Sequence, residues 1–189
     1  MDGLKIDIHN VVYLVPWKEE WAHAFRMEKQ CIIASMIAED HNAHVLHVGS
    51  TSIKGMVSKP IIDILVCPDD DVPPEAIIGD LERIGYKNHG DGGRQGRYFL
   101  SKGDKPNETF YVHVCHKDHP VVQDQLLFQK IERENPLIRD KYIQTKVLLA
   151  DVFPDDRNMY RELKGLFIEG VLSAYRMAMA DHGSEDAAS

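Results

Sequence analysis

His47-Val48-Gly49-Ser50-Thr51-Ser52-Ile53, followed by Lys59-Pro60-Ile61-Ile62-Asp63-Ile64-Leu65-Val66, reads as a strand running into a small polar turn, then a second strand that carries one carboxylate. Glycine at 49 lets the backbone come close to a ligand, and the hydroxyls of Ser50, Thr51 and Ser52 are donors suited to phosphate oxygens. A helix opening behind that turn would add N–H groups and a partial positive charge. A serine such as Ser50, taken alone, is more often a helix cap than a phosphate ligand. The second strand favours a pocket, because Asp63 interrupts an apolar run of the kind that is covered on both faces. A carboxylate in such a run requires a partner or a cation. Lys59 is one such partner; Mg²⁺ shared between Asp63 and a ligand's phosphates is the other.

Outward from this unit the periodicity is clear. Val11 to Val15 is an extended segment closed by Pro16, and a helix follows from Trp17 to about Glu39, with Trp21, Phe25, Ile32 and Met36 at helical spacings. Pro73-Pro74 opens a helix to about Ile84. The chain from Gly85 to Gly96 is glycine-rich, and Arg97–Ser101 and Thr109–Cys115 form a hairpin beyond it. From Val121 the period is helical in three segments, broken at Asn135-Pro136 and Phe153-Pro154-Asp155, the last running from Asp155 to about Met179. The expected fold is α/β (α+β): a mixed sheet of about five strands, with the first helix and the helix after Gly49 packed on it, extended by a C-terminal bundle of about three helices. Residues 1–180 form one domain with a cleft between sheet and bundle, and 181–189 a flexible polar tail.

Thirty acidic against 22 basic side chains give a net charge of −8, which argues against a general nucleic-acid binder. A small phosphorylated ligand in a locally basic pocket is the expected partner. Arg97, at the start of a strand, reads either as a two-pronged phosphate clamp or as a surface ion pair. Cys31, Cys67 and Cys115 are odd in number and widely spaced, so neither a disulfide framework nor a zinc ribbon is expected, which suits the cytoplasm. No apolar run reaches the roughly 20 residues needed to span a bilayer, and the start lacks the pattern of an export signal. Two histidine triplets, His41/His44/His47 and His113/His116/His119, place alternate rings on opposite strand faces and are poor metal sites. His47 and His113 lie individually on strands expected to approach the pocket.

The run from His47 to Ile53, Gly55, the run from Lys59 to Ile64, Arg97-Tyr98-Phe99, His113-Val114, and Phe153-Pro154-Asp155-Asp156-Arg157 with Tyr160 and Lys164 together resemble the GrpB-like family, over nearly the whole chain. The opening Leu14-Val15-Pro16 with Trp21 and Phe25 is similar too. That resemblance implies a nucleotidyltransferase-type fold, Mg²⁺ and a nucleoside triphosphate as ligands, and a link to nucleotide or coenzyme metabolism. It places Asp63 as the metal carboxylate, His113 beside the chemistry, and Gly49, Ser50, Thr51, Ser52, Lys59, Arg97 and Lys164 around the phosphates. Lys146 and Lys164 read as ordinary helix-surface cations, but in related transferases a C-terminal helical lysine reaches the triphosphate, the role the resemblance offers Lys164. The sequence departs from the superfamily pattern at Leu65, where a second carboxylate is usual, at His113, where the strand offers no third, and at Lys54, which stands in place of proline. Two-metal transfer needs carboxylates bridging ions about 3.5–4 Å apart. Phosphate-ligand binding with one metal or none is therefore the leading expectation, with nucleotidyl transfer and a non-catalytic module as its rivals.

Overall fold

In chain order the elements are β1 (Val15–Pro16), α1 (Glu19–Ile37), β2 (Ala43–Val48), β3 (Val57–Ser58), β4 (Ile62–Pro68), α2 (Pro74–Arg83), β5 (Lys87–Asn88), β6 (Arg97–Lys102), β7 (Phe110–Cys115), α3 (Pro120–Glu134), α4 (Pro136–Val152) and α5 (Arg157–Asp186). They come from a computed structural model that describes residues 11–103 and 109–186. The main sheet runs in the order β2-β4-β7-β6-β5. β4 and β7 are parallel, and the other neighbours are antiparallel. This is the mixed five-stranded sheet the sequence predicts.

β4 is apolar on both sides because both sides are used. Ile62, Ile64 and Val66 join Val45, Leu100, Val112 and Val114 beneath Ile32 and Met36 of α1 and Ile77 and Leu81 of α2. On the reverse, Leu65 and Cys67 pack with Val48 and Cys115 under Val122 and Leu126 of α3. Neighbouring side chains on a strand point to opposite faces, so Asp63 shares the α3 side with Leu65. Beyond α3, the same face carries Tyr111 and His113 of β7 and Arg97 and Phe99 of β6, aligned by their register.

Local chemistry fixes the helix boundaries. Asn135 Oδ1 accepts from the Ile138 N–H at 3.2 Å, starting α4 where α3 ends. Asp156 Oδ1 accepts from the N–H groups of Asn158 and Met159 at 3.1 and 2.9 Å and starts α5. That helix continues to Asp186; of the tail expected from 181, residues 187–189 lie outside those described.

Two features differ from expectation. The segment after Gly49 is a single 3-10 turn, Ser50–Ser52, and not a helix packed on the sheet. Its neighbours Ile53 and Met56 are drawn instead into the bundle core with Phe128, Ile131, Tyr142 and Leu172, which leaves no room for further turns. The chain then forms β3, which pairs with β1 in a small second sheet invisible in two-residue strands. Trp17 precedes α1, and its indole N–H donates to the Thr51 carbonyl at 3.0 Å. No helix among the described residues is long and apolar enough to cross a membrane.

Candidate functional site

Gly49 ends β2 beside Asp63, since Val48 and Asp63 are register partners. Its backbone has φ +70° and ψ −176°, a region almost closed to side chains. A Cβ built at 49 would stand 2.8 Å from Asp63 Oδ2 and 3.3 Å from Asp63 Cβ. Glycine is therefore required twice, for the turn and for the carboxylate that leans against it.

Four hydroxyl or glycine positions were expected to face phosphate together, and the structure divides them. Thr51 is 1% exposed, and its Oγ1 lies 3.0 Å from His47 Nε2. Ser52 Oγ donates to the Gly49 carbonyl at 2.6 Å and accepts from Gln129 Nε2 at 2.5 Å. Those two hydroxyls hold the turn in shape. Ser50 Oγ instead accepts from Lys146 Nζ at 2.9 Å, and Tyr142 also hydrogen-bonds to Ser50.

Asp63 sits among cations. A third of its side chain meets solvent. The protein around it pushes its carboxyl up from the usual carboxylate range, while the charges of Lys164, Lys59 and Arg157 pull it back. Because solvent still reaches the carboxylate, the burial effect is weaker than in a sealed site. Lys59 is pushed down to about 8 by burial and by Arg157, Lys164 and Arg161, against Asp63. Lys164 is also pushed down by burial, with Asp63 and Glu132 opposing and Arg161 and Arg157 adding to it. Lys59, Arg157, Arg161 and Lys164 are thus close enough to disfavour one another's charge. An anion entering the cleft would relieve that repulsion.

Lys146, which the sequence presented as a surface cation, is 2% exposed. Besides Ser50 it donates to the Val57 carbonyl at 2.5 Å, and its Nζ stands 4.5 Å from the centroid of the Tyr142 ring. Across from it lies Glu132, 2% exposed, whose Oε1 has no hydrogen-bond partner among the described residues. Burial drives Lys146 down and Glu132 up, each to about 7, and their mutual attraction opposes both shifts. The spacing of Lys146 from Tyr142 puts both on one helix face, but no local signal marks that face as buried.

The remaining candidates lie along the sheet. His113 Nε2 is 4.0 Å from Asp63 Oδ1, and its ring stacks on Phe99 with centroids 5.4 Å apart. Arg97 donates through Nε and Nη2 to the Asp91 carbonyl at 3.3 and 3.0 Å and through Nη2 to the Gly92 carbonyl at 3.2 Å. Its fork holds its own glycine-rich loop. Arg157 donates from Nη2 to the Tyr111 hydroxyl at 3.0 Å and so stands over the same sheet face. His47 lies on the α1 side, stacked on Phe25 at 4.6 Å.

The residues present do not fit a resident Mg²⁺ pair. Leu65 stands where a second carboxylate would, on the face of Asp63, but it is fully buried in the apolar cluster under α3. The cleft ends between the two positions: sharing a strand face does not give Leu65 access to the ligand space. Asp63 itself is shared among three cations. Leu65→Asp is therefore expected to lower the melting temperature by the same amount with and without Mg²⁺ and nucleotide, because it buries an unpaired carboxyl in an apolar cluster.

A protein-family model described as GrpB protein matches residues 11–174. The chain belongs to the GrpB family. Among GrpB relatives, YqkA of Bacillus subtilis is 30% identical over 84% of this chain and 45% of its own, and PA4798 of Pseudomonas aeruginosa is 31% identical over 85% and 66%. The chain thus spans less than two thirds of these two relatives. The GrpB crystal structure from Enterococcus faecalis superposes with a TM-score of 0.69 at 29% identity, covering 85% of this chain and 99% of that one. A Cid1 poly(U) polymerase structure with MgGTP bound superposes at 0.50 and 13% identity, covering 72% of this chain and 44% of that one. That likeness shows the fold, which is of the nucleotidyltransferase type.

Acid stability offers a check on the site's packing. His113 is pushed down to about 3, by burial first and then by Arg97 and Arg94, and His47 to about 4, by burial and then Arg133. A base whose folded pKa lies below its unfolded 6.5 binds fewer protons than the unfolded chain between those values. The stability these neutral rings contribute is therefore complete above 6.5 and lost as pH falls toward the folded values. Melting temperatures should drop steadily from pH 6.5 to pH 4, and His113→Asn should flatten that slope.

Proposed function

We propose that this protein binds a small phosphorylated ligand, a nucleotide or phosphometabolite, in the cleft between sheet and bundle, with lysine and arginine supplying the charge that metal ions supply in two-ion transferases. The observation that carries the reading is a group of four cations, Lys59, Arg157, Arg161 and Lys164, three of which (Lys59, Arg157 and Lys164) bear on the Asp63 carboxylate, in a chain whose overall charge is −8. A local excess of cations against the global sign supports a specific anion site and not diffuse attraction. Gly49 gives the ligand close access to backbone, and Lys146 fixes Ser50 at its edge. Arg97, held by its loop, sits at the far rim. The fold shared with a polymerase that binds MgGTP supports a nucleotide-related role, and the buried Leu65 supports a binder over a catalyst. The three free cysteines support a reducing, cytoplasmic setting.

Calorimetric titration with ATP and with inorganic tripolyphosphate, in EDTA and then in Mg²⁺, tests the proposal. Binding in EDTA is expected, and Lys59→Ala and Lys164→Ala should each weaken it about tenfold or more, since a charge-assisted contact is worth roughly 1.5–3 kcal/mol. Binding that appears only with Mg²⁺ would favour the transferase reading, and no binding to either probe would end the phosphate reading.

A further inference from the structure

One part of the cleft floor is built for something other than phosphate. On β6 and β7, Tyr98, Leu100, Phe110, Val112 and Val114 all pack into the core beneath α1 and α2. Phe99, on the opposite face of β6, belongs to none of the apolar clusters among the described residues, although it is large, apolar and only half-buried. Rings surround it instead. His113 stacks on it at 5.4 Å, Tyr111 meets it edge-on at 5.0 Å and 81°, and His89 lies at 5.3 Å. These rings make an aromatic cluster on the sheet, next to Asp63 through His113.

Cations frame this patch on two sides. The Arg97 Cζ is 6.0 Å from the Phe99 centroid, and the Arg157 Cζ is 6.0 Å from that of Tyr111. Arg157 also bears on Asp63, Lys59 and Lys164, so the aromatic patch and the cationic end of the cleft meet at one side chain. His113, pushed down to about 3 by burial, adds no charge to this cluster at neutral pH. Inorganic phosphate would use the cations and leave the rings idle. A ligand with a flat heteroaromatic ring at one end and a phosphate chain at the other uses both.

We infer that Phe99 is the stacking platform for the base of a nucleotide whose phosphates lie between Gly49, Lys59 and Lys164. This rests on the phosphate reading above and narrows it to ligands that carry a planar ring. Stacking on a ring face tolerates any base, so the platform gives affinity with little discrimination among bases.

The test compares ATP and UTP with tripolyphosphate in EDTA, on the unaltered protein and on Phe99→Leu. Base stacking on an aromatic side chain is worth about tenfold in affinity by substitution, within a broad range. Both nucleotides are expected to bind about tenfold or more tighter than tripolyphosphate, and Phe99→Leu should remove most of that advantage, its retained tripolyphosphate binding serving as the control for folding. Nucleotides that bind no tighter than tripolyphosphate, or a Phe99→Leu loss equal for all three probes, would overturn the stacking platform while leaving the phosphate site standing. Failure of all three probes to bind would overturn both.

Discussion

Gly49→Ala should lower the melting temperature by roughly 5–15 °C and abolish phosphate binding, the largest combined effect expected of any single methyl group in the protein. Two causes act together. The backbone at 49, with φ +70° and ψ −176°, lies in a region that costs a non-glycine residue on the order of 1–3 kcal/mol. The added Cβ would also stand 2.8 Å from Asp63 Oδ2, and the neighbouring Asp63 Cβ at 3.3 Å belongs to a central strand that cannot retreat. The carboxylate must therefore swing away, toward the cations it faces, or the turn must open. A total cost of about 2–4 kcal/mol converts to that melting shift at this chain length. Thermal melts check the first effect and calorimetry the second; a variant that melts within about 2 °C of the parent and binds normally would show that Gly49 does not crowd Asp63.

The second large effect belongs to Lys146. Lys146→Met should destabilise the fold by about 1–3 kcal/mol, because it removes the largest attraction acting on the buried Glu132 and leaves buried acceptors without their donor. Glu132 would then face an apolar environment with only the more distant Lys164, Arg133 and Arg139 to offset its charge. Ser50 Oγ and the Val57 carbonyl would lose their shared donor as well. Glu132→Gln, which keeps shape and removes the charge, should cost much less. The double variant Lys146→Met/Glu132→Gln should recover a good part of the single loss, since residues in one network are strongly non-additive. Denaturant unfolding of the three variants measures this. Additive losses would mean that Lys146 acts only through packing.

What the sequence made legible was whatever depends on short range. The Gly49 turn and the Asp63 strand are adjacent in the chain and their relation follows from strand periodicity, so the position of the carboxylate could be read directly. The helix breaks at Asn135 and Asp156 follow from capping chemistry within three residues. Lys146 was not legible, because its burial depends on Ser50 and Val57 arriving from about ninety residues away. Leu65 was half legible. Its face followed from period two, but the roof that α3 places over it follows from tertiary packing that no local pattern encodes. Thr51 and Ser52 carry the right hydroxyls for phosphate, yet His47 and Gln129 engage them, one from the preceding strand and one from α3. Arg97 follows the same logic: a fork that matches phosphate matches two loop carbonyls equally well.

Asp63→Asn titrated with ATP in EDTA tests the central claim most directly. If lysines and arginines bind the phosphates, removing the Asp63 charge lessens repulsion toward the ligand and frees Lys59 and Lys164 from a competing partner. Affinity should then rise by roughly threefold to tenfold, the scale of one charge interaction in a partly solvated cleft. If Asp63 is there to hold a metal for the ligand, the unaltered protein should bind ATP only with Mg²⁺ and Asp63→Asn should lose that binding, a result that would contradict the account.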